Sequence, residues 1–185
     1  NKKTVEAKSN QGATPLIVAS QHGQYDAVEL LISEGAAVDV RLNDGYTALH
    51  CAVYQGNVKI VELILKNIVY KGNPYDRAIL PYFVDHRQNY ADIATNEGIT
   101  PLMIACQRGS FPMVEHLRKE GANVNQTAKN GSTALEIAVK KNRLDLCQLI
   151  GVSALLTPTI IEIAIKKGSL EINKFLAGLK GILTY

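Results

Sequence analysis

Tryptophan is absent from this 185-residue chain, and cysteine occurs only as Cys51, Cys106 and Cys147. Three widely spaced cysteines do not make a disulfide framework, so a reducing compartment, cytoplasmic or nuclear, is the simplest setting. There is no CxxC pair, and His50–Cys51 has no second pair at metal-ligand spacing. No long apolar run is present either. The most apolar stretch, 154–165, contains Thr157, Pro158, Thr159 and Glu162, too short and too polar to span a bilayer. No basic-then-apolar leader opens the chain, which begins with Asn1 rather than Met and so reads as a fragment or processed chain. A phosphate-cradling glycine loop, HExxH, a nucleophile elbow and a calcium loop are all missing. These absences point away from an enzyme and from any cofactor. Charge of one sign is not in strong excess: the net is +3. It is uneven, however. Residues 1–98 hold nine Lys/Arg and eleven Asp/Glu, whereas 99–185 hold eleven and six. The basic half is mild, far short of a polybasic tail.

What is present is self-similarity. Four segments align: Gly12-Ala-Thr-Pro-Leu-Ile-Val-Ala, Gly45-Tyr-Thr-Ala-Leu-His-Cys-Ala, Gly98-Ile-Thr-Pro-Leu-Met-Ile-Ala and Gly131-Ser-Thr-Ala-Leu-Glu-Ile-Ala. Their glycines are spaced 33, 53 and 33 residues apart, so one connection carries 20 extra residues. Eleven residues after each stands Gly23, Gly56, Gly109 or Asn142, followed by Leu30-Leu31, Leu63-Ile64, His116-Leu117 or Leu149-Ile150. Thr14, Thr47, Thr100 and Thr133 suit helix N-caps, because a hydroxyl there can accept from a free backbone N–H. Pro15 and Pro101 fit the first helical position, where a missing N–H costs nothing. Gly23, Gly56 and Gly109 fit the left-handed residue that ends the helix, and Asn142 is the next most tolerant type. Each unit therefore predicts turn, short helix, turn, short helix. Alone it cannot bury its apolar face; stacked, such units share one core.

The pattern resembles the ankyrin family, whose consensus reads G-x-T-P-L-H-x-A-A-x-x-G and then V-V-x-L-L-x-x-G-A. The resemblance covers nearly the whole chain. It implies an all-α ankyrin-repeat solenoid of stacked helix-turn-helix units with finger turns, here with one elongated insertion. We expect a single domain over 1–185, with repeats at about 12–42, 43–67, 96–128 and 129–151. Residues 1–11 read as the tail of a preceding unit, since Thr4-Val5-Glu6 repeats the place of Ala37-Val38-Asp39. Residues 152–185 read as an atypical C-terminal repeat and cap, with Thr157-Pro158 restarting the pattern.

The insertion, 68–95, holds Tyr70, Tyr75, Tyr82, Phe83 and Tyr90, five of the eleven aromatics, and is punctuated by Pro74 and Pro81. Purely disordered loops are poor in aromatics. An ordered elaboration is expected, with a short helical turn near 76–80. Its aromatics either pack on the neighbouring repeats or form a partner-binding patch.

Every chemically capable side chain has a repeat-position explanation. His50 resembles the family's structural histidine, while His116 takes a slot that is leucine in three sister copies. Adjacent helical residues point about 100° apart, so His50 and Cys51 do not form a nucleophile pair. The three thiols read as core or near-core. Asn125-Gln126-Thr127 and Asn130-Gly131-Ser132 are sequons by chance.

By the same resemblance, binding falls on the concave face built from fingers and first helices. Finger positions such as Asn43, Asp44 and Asn96 lie on it. The partner-binding candidates are Tyr46, Tyr54, Gln55, Ile99, Gln107, Arg108, Lys140, Lys141, Lys166 and Lys167. Tyr46, Tyr54 and Ile99 suit an anchor pocket, and the cations a basic stripe across three repeats. Such a surface fits another protein or peptide, acidic with an apolar or aromatic anchor, bound by a monomer. The alternative is a substrate-recruiting or targeting domain of a larger enzyme or effector, which for a secreted effector would act in the host cytosol. Polyanion binding through the stripe ranks lower, and nucleic acid is not expected, because few aromatics are interleaved with the basic residues and no nucleic-acid motif is recognised.

Overall fold

The computed structural model describes residues 2–68, 90–151 and 153–182. The expected helical turn at 76–80 falls outside these residues. After a short α1 (Lys2–Val5), helices follow in pairs: α2 (Pro15–Gln21) and α3 (Tyr25–Ser33), α4 (Ala48–Gln55) and α5 (Val58–Ile68), α6 (Pro101–Arg108) and α7 (Phe111–Lys119), α8 (Ala134–Lys140) and α9 (Leu144–Gly151), α10 (Pro158–Lys167) and α11 (Leu170–Ile182). The first helices pack in series, α2 on α4 on α6 on α8 on α10, and the second helices form a looser parallel row. This is the all-α ankyrin solenoid that the repeats predict.

The helix starts follow from the threonines. Thr14, Thr100, Thr133 and Thr157 each accept a hydrogen bond from the backbone N–H three residues on, at 3.2–3.4 Å. Such a cap is worth about 1 kcal/mol. Each first helix ends against a left-handed residue. Asn142 adopts it with φ of 56°, alone among non-glycines of the described residues, as its place in the repeat predicts. Ala19, Ala52, Ala105, Ala138 and Ala164 are all buried at one register position, and their small side chains let the first helices approach closely.

The fingers are hairpin turns. Leu42, Thr95 and Ala128 donate to Tyr46, Ile99 and Ser132 carbonyls, at 2.8, 3.0 and 2.9 Å. Successive fingers are joined by backbone rungs: Asn43 donates to Gln11, Asn96 to Asp44 and Lys129 to Glu97, at 3.1, 3.0 and 2.9 Å. A second ladder uses side chains six residues before the finger glycines Gly12, Gly98 and Gly131. Glu6 accepts from the Ala37 N–H at 2.6 Å, Asp92 from Asn123 at 2.7 Å and Asn125 from Leu155 at 2.7 Å. The last unit differs. Only 152–157 separate α9 from α10, whereas 120–133 separate α7 from α8, so it has no finger.

Candidate functional site

Tyr54 lies in the last turn of α4 and Arg108 at the end of α6, the same face of consecutive repeats. The Arg108 guanidinium carbon sits 4.6 Å from the Tyr54 ring centroid, and the tyrosine remains 54% exposed. At an exposed site such a cation–π contact is worth about 0.5–1 kcal/mol. It sets the flexible arginine against an exposed ring of the neighbouring repeat.

The other candidates divide by how fully the fold uses them. Tyr46 is half-buried, its ring 5.4 Å from that of His50, and burial, with the Asp44 carboxylate next, raises its hydroxyl above the usual tyrosine range. Ile99 is half-buried and its carbonyl faces His50 Nε2 at 3.3 Å. The Gln55 side-chain amide donates to the Gln21 carbonyl, so it braces two repeats. Lys140 is tied at 2.5 Å to Glu136, a carboxylate only 9% exposed, so the basic stripe is interrupted there. Gln107, Lys141, Lys166 and Lys167 are exposed, and those three lysines make no ion pair among the described residues. The structure thus joins Tyr54 to Arg108 directly and leaves the terminal lysines as separate cations.

His50 is fully buried. Its Nδ1 accepts from the Thr47 N–H at 3.2 Å and lies 2.9 Å from Thr47 Oγ1. That leaves the proton on Nε2, which donates to Ile99 across the repeat junction. Burial lowers its pKa to about 4, keeping it a neutral brace. His116 Nδ1 stands 3.9 Å from Glu62 on the preceding second helix, and its Nε2 is buried with no partner among the described residues. The three thiols are free, and burial pushes Cys51 up to about 11 and both Cys106 and Cys147 up to about 12. They stay protonated near neutrality and are poor nucleophiles.

Of the insertion aromatics, Tyr70, Tyr75, Tyr82 and Phe83 lie outside the described residues. Tyr90 is 8% exposed and donates its hydroxyl to the Val38 carbonyl at 2.5 Å. Burial raises its pKa further still, so this tyrosine packs rather than presenting a surface.

Sequence reasoning missed the inter-repeat rungs. Asn43 and Asn96, expected as finger positions of the binding face, donate their amides to the Asn10 and Asn43 carbonyls at 3.1 and 2.9 Å. Asn57 and Arg143, each just after a left-handed residue, donate to the Gly23 and Gly109 carbonyls at 3.4 and 2.6 Å. The signal was there: a polar residue recurring six before, two before or twelve after each finger glycine. Asn125, the first sequon asparagine, uses its oxygen on Leu155 and its amide on Ser153, at 2.7 and 3.1 Å.

No described helix is long and apolar enough to cross a membrane. The sequence profile of ankyrin repeats, three copies, matches residues 1–76 and 68–155. The chain is 28% identical over 142 residues to human transient receptor potential cation channel subfamily A member 1, covering 75% of this chain and 11% of that protein. It is 31% identical over 143 residues to a fowlpox virus ankyrin repeat protein, covering 74% and 36%. It is 28% identical over 151 residues to human ankyrin repeat domain-containing protein 63, covering 76% and 34%. It therefore spans only a tenth to somewhat over a third of these relatives. With the repeats, the finger ladder and the profile in agreement, the chain belongs to the ankyrin-repeat family.

Proposed function

We propose that this domain is a protein-interaction module whose concave face takes a partner segment, acidic with an apolar or aromatic anchor. Ankyrin repeats in general mediate contacts between proteins, and the observation that carries the finer reading is the exposed Tyr54–Arg108 pair. An aromatic ring already fixed by a cation offers apolar area at low entropic cost, and the guanidinium edge can still meet a carboxylate. Lys141, Lys166 and Lys167 continue positive charge along the next two units. Tyr46 and Ile99 contribute the apolar rim; Gln55 and Lys140 contribute less, being tied within the fold. The domain acts as a monomer in a reducing compartment, where its three free thiols are stable. The relatives are longer than this chain, which suits the second reading, a recruiting domain of a larger protein.

The test is affinity capture with the wild-type domain and a Tyr54→Ala/Arg108→Ala variant. Both side chains are exposed, so folding by circular dichroism should be unchanged. Partners should be retained roughly 30-fold less well, the size of one interfacial hot spot. A folded variant that captures the same proteins equally well sinks the concave-face reading. Steep salt dependence with indifference to peptide sequence would instead favour a polyanion.

A further inference from the structure

The residue just before the left-handed residue that ends each first helix holds one register position. Along the solenoid it is His22, Gln55, Arg108, Lys141 and Lys167. The last three are cations in consecutive units. All three are exposed, and none is paired with a carboxylate among the described residues. One residue earlier the row is irregular, because Gln107 carries no charge and Lys140 is bound to Glu136. The regular row thus offers one cation per repeat over three repeats. The exposed Tyr54 ring stands one repeat before it, in contact with Arg108.

The spacing of that row selects what can lie along it. α6, α8 and α10 pack in series, and helices in contact lie about 8–10 Å apart. At physiological ionic strength charges are screened over about 8 Å, so the three cations act as separate points rather than as one smeared field. A partner must therefore present its carboxylates on one face at the same interval. A β-strand places same-face side chains about 6.4–6.8 Å apart, or twice that, and matches at neither. An α-helix matches only at every seventh residue, and a docked helix needs an apolar groove for its stripe. These helix ends offer Tyr54 as their one ring of that kind. Polyproline II has three residues per turn and rises about 3.1 Å per residue. Its residues i, i+3 and i+6 share one face at intervals of about 9.3 Å, which fits the row over all three repeats.

We propose that the segment bound on the concave face is a polyproline II helix, with a proline or other apolar residue on Tyr54 and carboxylates three, six and nine positions further along the solenoid, on Arg108, Lys141 and Lys167. This rests on the concave-face reading above and adds the partner's conformation and register. A proline ring stacks on the exposed face of Tyr54. Further prolines between the carboxylates point away from the row and keep the segment extended at low entropic cost.

Fluorescence anisotropy with short labelled peptides tests this at physiological ionic strength. The peptides share one composition of prolines, glutamates and small residues. Their glutamates fall at every second, third or fourth position, each series in both chain directions. The every-third peptide, in its better direction, should bind roughly tenfold tighter than the others, since three exposed ion pairs give about two- to threefold each. Glycine in place of its intervening prolines should weaken it at least about threefold. Lys141→Gln should weaken it about two- to threefold, yet leave unchanged a peptide whose middle glutamate is already glutamine. Equal affinity at all spacings, or tighter binding at every second position, overturns the proposal. A Lys141→Gln loss that does not track the middle glutamate overturns it as well. The concave-face reading fails separately, when the Tyr54→Ala/Arg108→Ala variant captures the same proteins as wild type. If no peptide binds while capture still depends on Tyr54 and Arg108, that reading stands and the polyproline II register falls.

Discussion

Three fingers of this solenoid are backed by a following finger, and the fourth is not. The turn around Gly45 backs onto Thr95 and Asn96, and that around Gly98 onto Ala128 and Lys129. The turn around Gly131 has nothing within 4 Å of where a Cβ would point, because the last unit goes from α9 to α10 without a finger. The four glycines share one backbone conformation, with φ between 76° and 88°. They look equivalent in sequence, yet the physics behind them is not. At Gly131 glycine answers only the backbone; at Gly45 it answers the backbone and the neighbouring repeat.

The sharpest way to break that comparison is to add one carbon. Gly45→Ala places a Cβ 2.5 Å from the Asn96 backbone nitrogen and 3.0 Å from the Thr95 carbonyl carbon, so the next finger must move. Together with a left-handed cost of about 1–2 kcal/mol, the expected loss is about 3 kcal/mol or more. Gly131→Ala should cost the left-handed part alone, about 1–2 kcal/mol. Urea denaturation of both variants measures the difference. Equal losses would show that finger packing contributes nothing to the glycine requirement.

A second contrast lies at the third residue of each first helix, where the copies carry Ile17, His50, Met103 and Glu136. Glu136 holds Lys140 within its own helix, whereas His50 bridges to the next repeat through Ile99. The histidine brace is therefore pH-dependent. Its folded pKa is about 4 and its unfolded one is near the ordinary 6.5. The unfolded chain takes up the proton first as pH falls. His50 thus contributes its full stabilisation above pH 6.5, and this is lost progressively as pH drops toward 4, by about 3 kcal/mol in all. His50→Met imitates the third copy. It should lower stability at pH 7 through the lost hydrogen bonds, yet flatten the curve between pH 6.5 and 4 relative to wild type. Parallel curves from stability measurements at several pH values would mean that His50 is not the group being protonated.

The contrast between fingers also shows how far the sequence could be read. The positions that act within one unit were legible: capping threonines, terminal glycines and Asn142. Each is fixed by local backbone geometry, so residue type and spacing suffice. Tyr54 and Arg108 were legible as surface positions, but their contact was not, because it depends on how two repeats are rotated against each other. Lys140 was read as one of a stripe of cations, although Glu136 stood four residues before it, an i,i+4 pair the sequence did show. The rungs from Glu6, Asp92 and Asn125 join residues about thirty apart in sequence, and one repeat alone gives no hint of them. Tyr90 illustrates the same limit, since its hydroxyl partner Val38 lies across the insertion.

The smallest expected effect concerns the finger rung itself. Two residues before each finger glycine stand Asn10, Asn43, Asn96 and then Lys129. Asn43 and Asn96 each give the preceding finger two hydrogen bonds, one from the backbone and one from the side chain. Lys129 gives only the backbone one, and its ammonium lies 4.0 Å from Glu97, with both side chains largely exposed. That ion pair contributes little in water. Lys129→Asn should therefore recreate the missing rung, its amide reaching the Asn96 carbonyl, for a gain of about 0.5 kcal/mol. Asn96→Lys should lose a similar amount. Each change alone is close to the error of a denaturation curve, so the pair of substitutions in one chain is the better measurement. If the rung is a property of the finger stack, the two effects offset and the double variant matches wild type. If instead Lys129 is held by Glu97, the first substitution destabilises and the double variant falls below both single ones.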